Sequence, residues 1–214
     1  MIRRFWFTVI FTGLFYMCAV AKLPSPDKIL QNFEKTIEEA NTFQADFIET
    51  YKWELTGEQQ TLHGKFFLKG EDRFRIETED QIIVSDGKTI WMYNLPSGRV
   101  LIDNLYNSED TMLPRQILLK HQNQYRSQVL GEEILQDEPC YVMLLTAETE
   151  DTFIPVVKIW IQKNKWTPQK IEQTDLNQNV TAYLLKNVKL GVPMDDALFL
   201  FEMPENADIV DMRH

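Results

Sequence analysis

The stretch QIIVSDGKTIWMY, residues 81–93, consists of two apolar runs joined by Asp86-Gly87. An Asp-Gly pair between two short apolar segments predicts a β-hairpin with a two-residue turn. The neighbouring Ser85 also suggests a second interpretation, in which Ser85 is a catalytic nucleophile. Since the chain has no G-x-S-x-G motif and no histidine close to Ser85 in sequence, the turn is the favoured interpretation.

Alternation of apolar and polar residues continues on both sides of this hairpin and predicts strands. In the segment FQADFIETYKWEL, residues 43–55, every odd position except Glu49 is apolar. Further strands are predicted at 61–69, 73–78, 99–103, 124–135, 138–147, 156–163, 168–176 and 178–190. Because no helical crossover separates these strands, an antiparallel sheet is expected.

Two segments have helical periodicity instead. Residues 26–41 carry an apolar stripe and follow Ser25, which is suited to capping a helix. A shorter helix is predicted over residues 108–121. The predicted fold class is therefore mainly β with helices: an incomplete, open antiparallel β-barrel whose concave side is covered by helices.

The first residues are typical of a secretory signal peptide rather than of the fold. Arg3 and Arg4 precede an apolar run, and the A-x-A pattern of residues 19–21 marks a cleavage site. Residues 1–21 are thus expected to be removed, which leaves 22–214 as one domain in the periplasm. A membrane anchor is the alternative, and lipidation of Cys18 is disfavoured by Met17, since that processing needs a small residue there.

The charge of the chain limits its partners. The formal net charge is −10, and removal of two leader arginines leaves 20 basic against 32 acidic residues, or −12. Such a surface repels nucleic acid and anionic membranes. The mature chain keeps one cysteine, Cys140, which lies in an apolar run and is expected to be a buried, inert thiol.

Motifs for chemistry are missing from the sequence. The three histidines, His63, His121 and His214, have no metal-binding spacing, and no phosphate-binding loop is present. We therefore predict no catalytic residues, no metal and no cofactor, and a protein that is not an enzyme. The large aromatic residues on the strands leave two interpretations open: an ordinary barrel core, or a binding cavity beneath a movable helical lid.

A family resemblance favours the cavity. The segments GKFFLKGEDRFRIET (64–78) and QIIVSDGKTIWMYN (81–94) resemble the outer-membrane lipoprotein carrier protein family (LolA). The segment FQADFIETY after the first helix and the closing FLFEMPENADIVD (199–211) are similar to the corresponding parts of that family. The resemblance spans nearly the whole mature chain and is most specific between residues 83 and 93.

This resemblance implies a monomeric periplasmic chaperone with an open barrel, a helical lid and a hydrophobic cavity. Its cargo would be acylated lipoproteins, taken from an inner-membrane ABC exporter and passed to an outer-membrane lipoprotein receptor. Two alternatives share the fold. One is a periplasmic regulator that senses lipoproteins during envelope stress, and the other is the outer-membrane receptor itself, which needs an acylated cysteine.

The same resemblance implies a set of residues that line the acyl cavity. They are Phe47, Tyr51, Trp53, Phe66, Leu68, Phe74, Ile76, Val84, Trp91, Met92, Tyr93, Met112, Leu113 and Ile117. Where many members have an Arg-Pro pair that contacts the lid, this chain has Gly70-Glu71. Arg73 and Arg75 are the candidates to replace that contact, and exposed charges are the alternative. The sequence leaves open which face of strand 89–95 points inward.

Overall fold

The computed structural model describes residues 23–105, 124–149 and 152–213. The predicted signal peptide, residues 1–21, and the predicted second helix, residues 108–121, lie outside the described residues. Three predicted cavity residues, Met112, Leu113 and Ile117, lie outside them as well. These assignments therefore stay predictions.

The first element is the helix α1 (Pro26–Ala40), in agreement with the predicted helix over 26–41. Its N-terminus is capped by the Ser25 side chain, whose oxygen accepts a hydrogen bond from the Lys28 N–H at 3.4 Å. At the other end, Asn41 adopts the left-handed conformation with φ 57°, and its N–H donates to the Glu38 carbonyl. Local sequence signals thus set both ends of α1.

The described residues also form twelve strands and a short 3₁₀ helix, η1 (Asp196–Phe199). The strands are β1 (Thr42–Lys52), β2 (Gln59–Lys69), β3 (Arg73–Thr78), β4 (Gln81–Asp86), β5 (Thr89–Asn94), β6 (Arg99–Asn104), β7 (Tyr125–Leu135), β8 (Glu138–Ala147), β9 (Val156–Gln162), β10 (Pro168–Thr174), β11 (Val180–Leu190) and β12 (Asp208–Asp211). The predicted first strand, 43–55, is too long at its end. The chain turns at Trp53, whose carbonyl accepts from the Gly57 N–H at 2.9 Å.

All twelve strands belong to one sheet with the order β12-β6-β5-β4-β3-β2-β1-β11-β10-β9-β8-β7. Neighbouring strands are antiparallel except β12, which pairs with β6 in parallel. Because the order begins at β12 and ends at β7, the sheet is open and not closed into a barrel. The expected mainly β, antiparallel architecture is confirmed, and the helical lid and the cavity stay predictions.

Cross-strand pairing assigns the side chains to two faces, because successive residues of a strand point to opposite sides. Phe43, Leu68, Phe74, Ser85 and Ile90 are paired in series from β1 to β5, so they share one face. Here this is called the inner face, since the apolar stripe of α1 packs in the same cluster. The opposite side is called the outer face.

The core of the protein lies between α1 and the inner face. The fully buried members of this cluster come from α1 and from strands in both halves of the sheet. They include Ile29 and Phe33 on α1, Phe43 on β1, Phe74 on β3, and Met143, Leu145 and Ile159 on β8 and β9. In the part of the chain that the structure describes, α1 thus covers apolar residues contributed by both halves of the sheet.

Candidate functional site

Besides Tyr51, described below, six predicted cavity residues share the inner face: Phe47, Phe66, Leu68, Phe74, Ile76 and Met92. The first four are buried, and Ile76 and Met92 are half-buried at the margin of the core cluster. The inner face is therefore apolar across β1 to β5. This is the surface on which the predicted site residues and α1 come together.

Val84, Trp91 and Tyr93 lie on the outer face instead. Val84 pairs with Trp91 across β4 and β5, and both alternate with inner-face residues. The Trp91 ring stacks on Phe201 with centroids 6.0 Å apart, and the Tyr93 ring meets Phe201 edge-on at 6.3 Å. The predicted set is thus divided between two faces, which cannot line one cavity, because period-two alternation separates Trp91 and Tyr93 from Met92.

Two further predicted residues lie at the end of β1. Tyr51 is half-buried, and Trp53, just beyond the strand, is 36% exposed. Their rings meet edge-on with centroids 4.5 Å apart. This pair forms an aromatic margin to the sheet and is set apart from the buried core residues.

The predicted lid-contact residues, Arg73 and Arg75, also point to the outer face, since they alternate with Phe74 and Ile76. Arg73 donates to the Asp196 carboxylate at 2.8 Å, and Lys69 does so at 2.7 Å. Arg75 donates to Glu77 at 2.6 Å and to the Leu198 carbonyl at 3.5 Å. Both arginines therefore hold the C-terminal segment, residues 195–211, and lie on the side of the sheet opposite α1.

Ser85 has the surroundings of a turn residue rather than those of a nucleophile. Its side chain is fully buried, donates to the Asp72 carbonyl at 2.8 Å and accepts from the Gly87 N–H at 3.1 Å. The predicted hairpin is confirmed, but its two loop residues are Gly87 and Lys88, one position later than expected. Asp86 belongs to β4, and its carboxylate accepts from the Lys88 N–H at 2.8 Å.

A close contact shapes the inner face around Gly64. A Cβ atom at this position would overlap the Phe47 ring and lie 2.6 Å from the Glu77 carbonyl oxygen. Glycine therefore lets the Phe47 ring lie directly on β2. A cleft of about 530 Å³ adjoins this place, lined by residues including Ile48 and Lys186.

A second cleft separates α1 from β7, at the far end of the sheet order. Its volume is about 500 Å³, and its lining includes Leu30 and Gln31 of α1 with Tyr125, Arg126 and Ser127 of β7. The Tyr125 hydroxyl donates to the Ile154 carbonyl at 2.7 Å. Because polar groups share this lining with Leu30, the cleft has a different chemistry from the apolar inner face.

One carboxylate interrupts the inner face. Glu49 pairs with Leu62 of β2 and with Tyr183 of β11, so it lies among apolar neighbours. Burial raises the pKa of the Glu49 carboxyl above its usual range. The pKa of the Tyr183 phenol is also raised, mainly by burial and to a smaller extent by the nearby charge of Glu49. The sequence marked Glu49 as the exception to an apolar alternation but assigned it no role.

The described residues offer no other site of chemistry. Cys140 is fully buried, and burial, with a smaller effect of Glu138, raises the pKa of its thiol, so the expected inert thiol is confirmed. Over the same part of the chain, no group of three or more His, Cys, Asp or Glu side chains is arranged to hold a metal ion. Nor is any helix in the described ranges long and apolar enough to cross a membrane.

Asp196 allows a test of the attachment of the C-terminal segment. Replacing Asp196 by asparagine is expected to speed amide hydrogen exchange in β12, because Lys69 and Arg73 lose their shared carboxylate. The Lys69 hydrogen bond lowers the pKa of Asp196. At neutral pH the Asp196 carboxylate is therefore ionised and the attachment is present. As the pH falls below the ordinary carboxyl pKa of 3.8 and through the lowered pKa of Asp196, the carboxylate takes up a proton and the attachment is lost.

Hydrogen exchange followed by mass spectrometry measures this effect, and Glu202→Gln is the matched control. Glu202 is an exposed carboxylate on the same segment, so its neutralisation changes the charge but not the contact. Equal exchange of β12 in the two variants would contradict the assigned role of Asp196.

The fold and the inner face together define a class of protein: a mainly β domain with one open antiparallel sheet and a helix packed on its apolar face. Residues 38–202, more than half of the chain, match the family described as outer membrane lipoprotein carrier protein LolA. The chain therefore belongs to this family.

Individual relatives are more distant. An outer-membrane lipoprotein carrier protein of Glaesserella parasuis is 26% identical over 188 residues, with 84% of both chains covered. An uncharacterized protein of Methanocaldococcus jannaschii is 25% identical over 206 residues, covering 92% of this chain. This chain spans only 57% of the length of that archaeal relative.

Solved structures support the fold alone, since their sequence identities are low. An uncharacterized conserved protein from Thermus thermophilus matches with a TM-score of 0.58 and 16% identity, over 86% of this chain and 98% of that one. MucB matches with a TM-score of 0.53 and 16% identity, over 83% of this chain and 63% of that one.

Proposed function

We propose that this protein is a periplasmic chaperone that carries acylated lipoproteins between membranes. It accepts them from an inner-membrane ABC exporter and delivers them to an outer-membrane receptor. Membership of the lipoprotein carrier family supports this function. The observation that carries the proposal is the largely apolar inner face from β1 to β5, partly covered by α1.

The physical need for such a carrier is large. A triacylated anchor has about 40 methylene groups, and exposing each to water costs about 0.8 kcal/mol, or on the order of 30 kcal/mol in total. Free diffusion of the cargo is therefore excluded. In this proposal, the inner face replaces the membrane as the apolar surroundings of the acyl chains. The half-buried Met92 supplies a flexible, adaptable contact at its margin.

Release of lipoproteins from membranes tests this function. Purified protein, added to inner-membrane vesicles with ATP, is expected to bring lipoproteins into the soluble fraction. If no lipoprotein leaves the vesicles, the proposed carrier function is contradicted. A stable complex with an anti-sigma factor and no release would favour the sensing regulator instead. Acylation of Cys18, measured by mass spectrometry of the mature N-terminus, would favour the receptor.

The two faces of β5 provide a sharper test within one strand. A photo-crosslinking amino acid at Met92 is expected to label acyl chains of bound lipoprotein, because Met92 is on the inner face. The same group at Trp91 is expected to label the C-terminal segment, since Trp91 stacks on Phe201. Labelling of acyl chains from Trp91 but not from Met92 would place the cargo on the outer face and contradict the proposed site.

A further inference from the structure

Glu49 is out of place on an apolar surface. In β1 the inner-face residues Phe43, Ala45 and Phe47 are all buried, and Glu49 is the next residue on that face. Its cross-strand neighbours are Leu62 and Tyr183. A carboxylate in this position loses part of its hydration and gains little from such neighbours.

No partner for Glu49 is found among residues 23–105, 124–149 and 152–213. Its carboxylate makes no hydrogen bond and no ion pair there, and the Tyr183 hydroxyl likewise makes no hydrogen bond. Tyr183 is the cross-strand neighbour of Glu49, and the charge of Glu49 acts on its phenol. The Tyr183 ring is held edge-on to Phe47 with centroids 6.3 Å apart. Two polar groups on an apolar face are thus positioned together and unpaired.

Other strand carboxylates in the described ranges are paired, which makes Glu49 distinct. Glu172 on the outer face contacts Lys170 at 2.8 Å, and Glu132 contacts Lys163 at 2.7 Å. Glu49 is half-buried and so keeps part of its hydration. Polar groups that are removed from water in proteins usually have a partner, and an exception calls for an explanation. Since the described residues supply no partner on a surface proposed to bind cargo, we infer that the cargo supplies it.

We propose that Glu49 and Tyr183 form a polar anchor that recognises the head of an acylated cargo molecule, an inference that rests on the carrier function proposed above. Glu49 accepts a hydrogen bond from an N–H group at the head of the acyl chains. Tyr183 donates a hydrogen bond from its hydroxyl to a carbonyl oxygen of the same head. An acylated N-terminal cysteine has both groups, with nitrogen as either an ammonium or an amide.

The anchor also selects against competing lipids. Free fatty acids and anionic phospholipids have acyl chains of the same length but carry a negative head group. Next to Glu49 such a head meets a like charge with reduced hydration, which disfavours binding. One carboxylate therefore attracts N–H heads and repels anionic heads, while the surrounding apolar residues bind any acyl chain.

The test compares three probes: a dipalmitoylated cysteinyl peptide with a free amino group, its N-acetylated form, and palmitate. Glu49→Leu is expected to weaken binding of at least one peptide about tenfold, as for loss of a hydrogen bond to a charged group. The same variant is expected to bind palmitate more tightly. These opposite changes do not result from partial unfolding, which weakens all three.

Two more variants identify the donor and control for charge. Glu49→Gln keeps an acceptor oxygen, so it binds the acetylated peptide like wild type if the donor is an amide. It binds the free-amine peptide as weakly as Glu49→Leu if the donor is an ammonium. Asp46→Asn removes one charge from the outer face of the same strand, where Asp46 accepts from Asn187 at 2.6 Å, and is expected to change no affinity.

Unchanged peptide affinity in Glu49→Leu overturns the anchor but leaves the carrier function standing, provided that the wild-type protein binds the peptides. If wild type binds neither peptide nor palmitate, both proposals fail. Tyr183→Phe gives a second readout, since it removes the hydroxyl and retains the ring contact with Phe47. It is expected to weaken peptide binding and leave palmitate binding unchanged.

Discussion

Replacing Phe33 by alanine is expected to lower the free energy of unfolding by about 3–5 kcal/mol, the usual cost of removing a buried phenylalanine. Phe33 is fully buried in the stripe of α1 that packs on the inner face. Its removal deletes ring contacts and leaves a cavity between the helix and the sheet. Since a domain of this size is stable by only about 5–15 kcal/mol, the loss is a large fraction.

Urea unfolding measures this change, with Lys35→Ala as the matched control. Lys35 lies on the same helix, and its side chain is 66% exposed, so the control keeps the helix propensity and changes no core contact. The control is expected to stay within about 0.5 kcal/mol of wild type. If Phe33→Ala costs less than about 1 kcal/mol, well below the usual range, α1 does not hold the sheet in the way that its burial indicates.

Gly64→Ala is expected to destabilise the protein by about 1–3 kcal/mol, as for overpacking in a core. The added methyl group meets the Phe47 ring on one side and the Glu77 carbonyl on the other. The ring can move only by leaving its packed position, and the carbonyl belongs to β3, which pairs with β2. Relief therefore requires a shift of the sheet itself.

A double-mutant cycle with Phe47→Leu separates the two contacts. The smaller leucine removes the ring clash, so Gly64→Ala is expected to cost less in this background than in wild type. The difference between the two costs is the coupling free energy of the ring contact, expected in the range of about 0.5–3 kcal/mol. Equal costs in both backgrounds would show that the Phe47 ring does not exclude a side chain at residue 64.

Several features were predictable because they depend on neighbouring residues alone. The capping of α1 by Ser25 and its left-handed end at Asn41 follow from side-chain chemistry within one turn. The hairpin between β4 and β5 follows from a glycine between two apolar runs. Its turn is one residue later than predicted, because Asp86 uses its carboxylate to bind the backbone after the turn.

Other features were beyond prediction because they depend on contacts between distant parts of the chain. Ile90, Trp91, Met92 and Tyr93 are all apolar, so their hydropathy does not say which pair faces the core cluster. The register of the sheet assigns Ile90 and Met92 to the inner face. Arg73 was a candidate for contact with the lid, which stays a prediction. The structure shows its side chain bound to Asp196, 123 residues away along the chain.

From the sequence alone follow the strands of the sheet other than β12, the ends of α1, the exception at Glu49 and the resemblance to the lipoprotein carrier family. Period-two alternation and helix-capping residues are signals that lie within a few residues of one another, so they can be recognised without a structure. The tertiary structure added the division of QIIVSDGKTIWMY between two faces, the attachment of the C-terminal segment and, within the described residues, the lack of a partner for Glu49. Each of these is a relation between strands, and pairing alone brings such residues together.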